Sequence, residues 1–99
     1  MNLILSKEAE EDIAEAKGWY EKRRRGLGEE FALCIEEALE RIRRIPHGAT
    51  EVYPGVRRVI VRRFPFGIFY CVDEDQIGVI AVYDSRRDPR DWQQRMGGL

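Results

Sequence analysis

Arginine is concentrated on and after the apolar runs of the C-terminal half. Arg57, Arg58, Arg62 and Arg63 bracket Val59-Ile60-Val61, and a later apolar run ends in Tyr83-Asp84-Ser85-Arg86-Arg87-Asp88-Pro89. The guanidinium is a planar fork that stays charged and matches carboxylate, phosphate and carbonyl oxygens. Two chemistries use such groups. One is recognition of a partner surface, where Arg, Tyr and Trp are over-represented among the residues that carry the binding energy. The other is metal-free cleavage of RNA, where arginine stabilises charge on the pentacoordinate phosphate. That reaction also needs groups that move protons near neutral pH. Tyr83 and Tyr70 are the candidate donors. A base is scarce: the single histidine, His47, sits between Pro46 and Gly48, and all three lysines fall within the first 22 residues. Arginine does not fill the gap, because it does not lose its proton. The residue types therefore favour recognition over hydrolysis.

The arginines are not equivalent. Strand alternation puts Arg58 and Arg62 on one face and Arg57 and Arg63 on the other, so the four cannot line one site. Arg86 and Arg87 follow a strand and lie in a loop, which makes them the stronger candidates, with Arg90 nearby. Trp92 is an apolar anchor for the segment after Pro89 and a candidate contact residue.

Composition narrows the classes. Ninety-nine residues, 43% of them hydrophobic, suit one domain with a modest core. Charged residues make up 35%, yet the formal net charge is −1, which argues against a generic nucleic-acid coat. Beyond residue 45 every basic side chain is arginine. Cys34 and Cys71 lie in apolar surroundings without metal-type spacing, so both are expected as free thiols in a reducing compartment. No metal or other cofactor is expected. No run approaches the roughly 20 apolar residues of a membrane span, and the N-terminal apolar stretch is too short for a signal peptide. The expectation is a cytosolic protein.

Local patterns predict the elements that must position these residues. Leu3-Ile4-Leu5 predicts a short strand. Ser6 predicts an N-cap, and Ala9, Ile13, Ala16 and Tyr20 a helix to about Arg23 or Arg24, with Trp19 beside the stripe. Arg25-Gly26-Leu27-Gly28 predicts a turn. Phe31, Ile35, Ala38, Ile42 and Ile45 predict a second helix with an acidic start and a basic end, stopped by Pro46 and Gly48. The short link predicts an antiparallel helical hairpin. After the Pro54-Gly55 turn come three strands, Val56–Phe64, Gly67–Val72 and Gln76–Tyr83, the last two joined at Asp73-Glu74-Asp75. Asp88-Pro89 predicts a short terminal helix, with fraying at Gly97-Gly98. The fold class is α+β, in the order β-α-α-β-β-β-α, with the hairpin packed on an antiparallel sheet.

This order and these motifs resemble the RelE/ParE toxin superfamily of bacterial toxin–antitoxin systems, over essentially all of residues 1–99. The resemblance is carried by Leu5-Ser6-Lys7-Glu8-Ala9-Glu10-Glu11-Asp12-Ile13, Gly55-Val56-Arg57-Arg58, Phe66-Gly67-Ile68-Phe69-Tyr70 and Ile80-Ala81-Val82-Tyr83-Asp84-Ser85-Arg86-Arg87-Asp88-Pro89. It implies a type II toxin neutralised by a cognate antitoxin. RelE-like members cleave messenger RNA on the ribosome, whereas ParE-like members poison DNA gyrase without hydrolysis. Fold does not decide between these activities. The ParE-like reading is preferred here, with no catalytic residue and with Arg57, Arg58, Arg86, Arg87 and Trp92 as target contacts. The alternative is a RelE-like nuclease using Arg58, Tyr83, Arg86 and Arg87. A third reading is a non-toxic relative that only binds its antitoxin. In many relatives the position of Asp84 is histidine, and aspartate there removes a proton-transfer group. The antitoxin is expected to lie along the hairpin flank at Trp19, Tyr20, Leu27 and Phe31.

Overall fold

The computed structural model describes residues 1–97 and shows an α+β domain in three layers. The chain runs β1 (Asn2–Leu5), α1 (Lys7–Arg23), α2 (Leu27–Arg44), β2 (Thr50–Tyr53), β3 (Val56–Ile60), β4 (Phe66–Asp73), β5 (Gln76–Asp84) and α3 (Arg90–Gly97). The five strands form one sheet in the order β1-β5-β4-β3-β2. The α1–α2 hairpin covers one face and α3 part of the other. Of the two residues expected to fray, Gly97 is the last residue of α3 and Gly98 lies outside the described residues.

Local chemistry explains where each helix starts. Ser6 Oγ accepts from the Ala9 N–H at 3.0 Å, which satisfies one of the free donors of the first turn of α1. The second helix has no capping side chain of its own. Instead Glu21 of α1 accepts from the N–H groups of Gly26 and Gly28, each at 3.0 Å. That carboxylate also complements the positive end of α2. Gly28 therefore lies inside the helix rather than in the turn. A Cβ at Gly28 would sit 2.7 Å from the Lys17 carbonyl oxygen, so glycine permits the close approach of the two helices.

The hairpin-side core is aromatic at its centre. Phe31 is fully buried, and its ring centroid lies 5.2 Å from Tyr20, 5.2 Å from Phe64 and 5.1 Å from Phe66. Ile35, Ala38 and Ile42 continue the stripe onto Ile68, Tyr70, Ile77 and Val79. Ile45 does not follow them. It caps α2 in a non-helical conformation and is 68% exposed.

The sheet differs from expectation in three ways. First, Thr50–Tyr53 is a strand, pairing antiparallel with β3 ahead of the Gly55 turn. Second, β1 joins β5 in parallel, with Leu5 opposite Val79, so the sheet is mixed. The helical hairpin between them supplies the long connection that parallel pairing requires. Third, β3 stops at Ile60 rather than Phe64. Arg63 adopts φ 70° there, and the Val61 N–H reaches the Phe66 carbonyl at 2.8 Å across a tight loop. Alternation therefore fails beyond Ile60. Arg62 and Arg63 both turn to α2, with Arg62 lying 3.7 Å from Glu37 and Arg63 2.8 Å from Glu30.

One irregularity in β5 decides which way the functional end of the chain faces. Tyr70 pairs with Val79 and Phe69 with Ala81, which leaves Ile80 as an extra residue. Such a bulge re-aims the side chains beyond it. Ile77 and Val79 face the hairpin, yet after the bulge Ala81 and Tyr83 face α3 while Val82 returns to the hairpin side.

Replacing Phe31 with alanine removes the centre of the aromatic cluster. The expected loss is about 3–5 kcal/mol of unfolding free energy, read from a lower denaturant midpoint with an unchanged slope.

Candidate functional site

The bulged end of β5 delivers Tyr83 and Asp84 to opposite faces, and the loop after it carries Arg86 and Arg87. The loop is held by backbone bonds: Ser85 N–H to the Pro65 carbonyl at 2.8 Å and Arg87 N–H to the Asp84 carbonyl at 3.1 Å. Asp84 takes most of its bonds from Arg86. Its Oδ1 accepts from the Arg86 N–H and Nε at 2.9 Å each, and its Oδ2 from Nη2 at 2.6 Å. These bonds hold the Asp84 carboxyl below its usual range and the Arg86 guanidinium above its own.

Tyr83 lies between two guanidiniums, with Arg87 Cζ 4.4 Å and Arg95 Cζ 5.5 Å from its ring centroid. Cation–π contacts of this kind stabilise by about 0.5–2 kcal/mol. Burial is the main cause that raises the Tyr83 hydroxyl above its ordinary value, so it keeps its proton at neutral pH. Arg87 also lies 3.8 Å from Asp91 of α3. Asp88 caps α3, accepting from the Arg90 N–H at 2.9 Å.

A groove of about 250 Å³ runs between α1 and this loop. Ala16, Tyr20, Phe66 and Val82 form its apolar lining, with Trp19 on one side and Asp84 and Arg86 on the other. Trp19 is 51% exposed, and Arg23 Cζ stands 4.6 Å from its ring. Deep in the groove, Asp12 of α1 accepts from the Val82 N–H at 2.9 Å. It also takes both terminal nitrogens of Arg95, at 2.8 and 3.0 Å, and Arg95 reaches the Ile80 carbonyl at 3.0 Å.

The expected target contacts separate. Arg86 and Arg87 stand together at the surface. Arg58 lies on the α3 side of the sheet, packed over Gly67 opposite Tyr83. Arg57 faces the hairpin side and donates to the Ala49 and His47 carbonyls at 2.7 and 3.3 Å. Trp92 is 3% exposed and stacks on Phe69 at 4.4 Å between centroids. Its ring holds α3 on the sheet and is not presented to a partner. Tyr70 is fully buried, and its hydroxyl donates to the Pro46 carbonyl at 2.7 Å. Of the expected antitoxin contacts, Tyr20 and Phe31 belong to the core, Leu27 is partly buried, and Trp19 remains accessible.

The pair Asp12–Arg95 was not visible as a site from sequence. Its signals were faint: Asp12 flanks the stripe that Ala9 and Ala16 occupy, and Arg95 falls three residues after Trp92 on the same helical side. Among the described residues no group of three or more His, Cys, Asp or Glu side chains is placed to hold a metal ion. Among them, too, no helix is long and apolar enough to cross a membrane.

Residues 3–89 match the family model for the ParE toxin of the type II toxin–antitoxin system parDE. Among solved structures, the fold resembles a chain of the chromosomal ParDE toxin–antitoxin system from P. aeruginosa, with a TM-score of 0.64. The two are 20% identical, and the match covers 85% of this chain and 95% of that one. No curated protein sequence matches significantly.

The Asp84–Arg86 pair has a pH consequence. Because the carboxyl is held below its unfolded value of about 3.9, the pair contributes stability above that pH. The contribution is lost as pH falls through the lower folded value. In Arg86→Ala, NMR titration of the Asp84 carboxyl is expected to move upward, and acid unfolding to begin at higher pH.

Proposed function

Since the chain belongs to the ParE toxin family of type II toxin–antitoxin systems, we propose that it arrests growth by binding DNA gyrase in the cytoplasm and that a cognate antitoxin neutralises it. It acts by contact and carries out no hydrolysis. One observation supports this reading above the others. The carboxylate at the end of β5, Asp84, is tied to Arg86 by three hydrogen bonds. General acid–base catalysis works best with groups that titrate near the working pH. Asp84 is shifted downward and Tyr83 upward, so both move away from neutrality. What the loop offers instead is fixed positive charge on an ordered backbone.

Arg86 and Arg87 are the contact residues in this reading, with side chains 70% and 58% exposed. Their intramolecular partners hold them in place, which lowers the ordering cost that binding would otherwise carry. Arg58 extends the surface along the α3 side. Arg57 and Trp92 serve it from beneath, as supports for the loop before β2 and for α3. The antitoxin occupies the groove beside Trp19, where an apolar floor meets both signs of charge.

The test is inhibition of gyrase supercoiling by purified protein. Arg86→Ala with Arg87→Ala is expected to require at least about tenfold more protein for the same inhibition, equivalent to roughly 1.4 kcal/mol. Circular dichroism at the assay temperature should match the parent, with a modestly lower melting temperature because the contacts to Asp84 and Tyr83 are lost. Undiminished inhibition by a folded double variant would remove this loop from the target surface.

A further inference from the structure

Helix α3 meets the rest of the chain through two kinds of contact, and they do different work. It has eight residues, too few to hold a helix without tertiary support. Trp92 and Met96 pack it on Val56, Phe69 and Ala81. Apolar packing is non-directional. It keeps α3 on the sheet without fixing how far the helix slides or turns. The charged contacts are directional. Asp91 and Arg95 are four residues apart and so share one side of the helix. Asp91 lies 3.8 Å from Arg87 of the preceding loop, and Arg95 reaches two other elements.

The guanidinium of Arg95 gives both terminal nitrogens to Asp12 of α1, at 2.8 and 3.0 Å, and also donates to the Ile80 carbonyl of β5 at 3.0 Å. Asp12 is fixed in turn by the Val82 N–H at 2.9 Å. The two side chains are only 14% and 24% exposed. By contrast Arg86 is 70% and Arg90 81% exposed in their own pairs. Surface pairs of that kind hold a geometry weakly, whereas a shielded two-pronged pair holds it firmly. Arg95 therefore sets the register of α3. Its Cζ also stands 5.5 Å from the Tyr83 ring, which Arg87 approaches to 4.4 Å. A slip of α3 by one residue, about 1.5 Å along its axis and about 100° around it, would carry Asp91 away from Arg87 and Arg95 away from Tyr83.

We propose that Asp12 and Arg95 are positioning residues for target binding. They lock the register of α3, and α3 so locked holds Arg87 against Tyr83 and Asp91 in the orientation that meets the target. Neither residue touches the target itself: Asp12 lies deep in the groove and Arg95 is turned to it. The inference rests on the reading of Arg87 as a contact residue, and it adds a role for two residues outside the β5 loop. It also separates this pair from Trp92, which secures α3 to the sheet but leaves its register open.

The test is Arg95→Lys in the full chain. Lysine keeps a positive charge beside Asp12 but lacks the fork that spans both carboxylate oxygens and the flat face beside Tyr83. Two readouts follow. In the ¹⁵N-labelled protein the Arg87 Nε–Hε resonance should move from its ring-shifted position toward that of an exposed arginine. In the supercoiling assay Arg95→Lys and Arg87→Ala should each require about threefold more protein, and the double variant no more than either alone, because residues that act through one another are not additive. Asp12→Asn keeps an acceptor for the Val82 N–H and should shift the Arg87 resonance in the same direction. An unmoved Arg87 resonance in a folded variant would overturn the proposal, and so would losses that multiply in the double variant, the result for a pair that serves stability alone. Unfolding of both Arg95→Lys and Asp12→Asn would count the same way. Should the parent chain leave supercoiling untouched, the gyrase reading fails, and the Arg87 resonance alone decides whether the pair positions that side chain.

Discussion

A single carboxylate, Asp12, joins three elements of this fold. It sits on α1, accepts from the Val82 N–H of β5, and takes both terminal nitrogens of Arg95 from α3. The place matters because β1 covers β5 only up to Val79. Beyond that residue β5 is an open edge, which invites pairing with other chains. Asp12 supplies the acceptor that a neighbouring strand would have supplied, and Arg95 supplies a donor to the Ile80 carbonyl. Both side chains are largely buried. A buried charge without its partner is strongly destabilising, so the two residues act as a unit. With α3 fixed in this way, Trp92 stays on Phe69 and Arg95 stays beside Tyr83.

The functional surface is set by that junction and by the bulge at Ile80. The bulge turns Tyr83 under α3 and leaves Val82 on the hairpin side. The loop after β5 then stands at the meeting point of α1, the sheet and α3. Its charges are satisfied within the chain before any partner arrives. Such pairing suits recognition, where side chains are held ready, better than proton transfer, where a group must change its charge state.

Much of the fold was legible in the sequence because local signals agree with the tertiary structure. Ser6 caps α1, the Phe31–Ile42 stripe faces the sheet, and Asp88-Pro89 starts α3. Three features were not legible, each for a physical reason. Thr50–Tyr53 is too short to stand out before a Pro-Gly turn. The parallel pairing of β1 depends on a partner more than 70 residues away, about which local pattern says nothing. The loop at Arg62–Pro65 breaks a run that reads as strand, because Arg63 takes a left-handed conformation that its residue type does not announce. At the site, the basic loop was legible from its arginines, but Trp92 and Phe31, named as contact candidates, are residues of the core. Asp12 was hidden because an acidic residue on a highly acidic helix carries no distinguishing mark.

The most direct measurement is to incubate the purified chain with translating ribosomes and a labelled transcript, at concentrations that block supercoiling. Contact without proton transfer requires the transcript to remain intact. Cleavage at codons in the ribosomal A-site would contradict that account and would assign catalysis to the arginines around Tyr83.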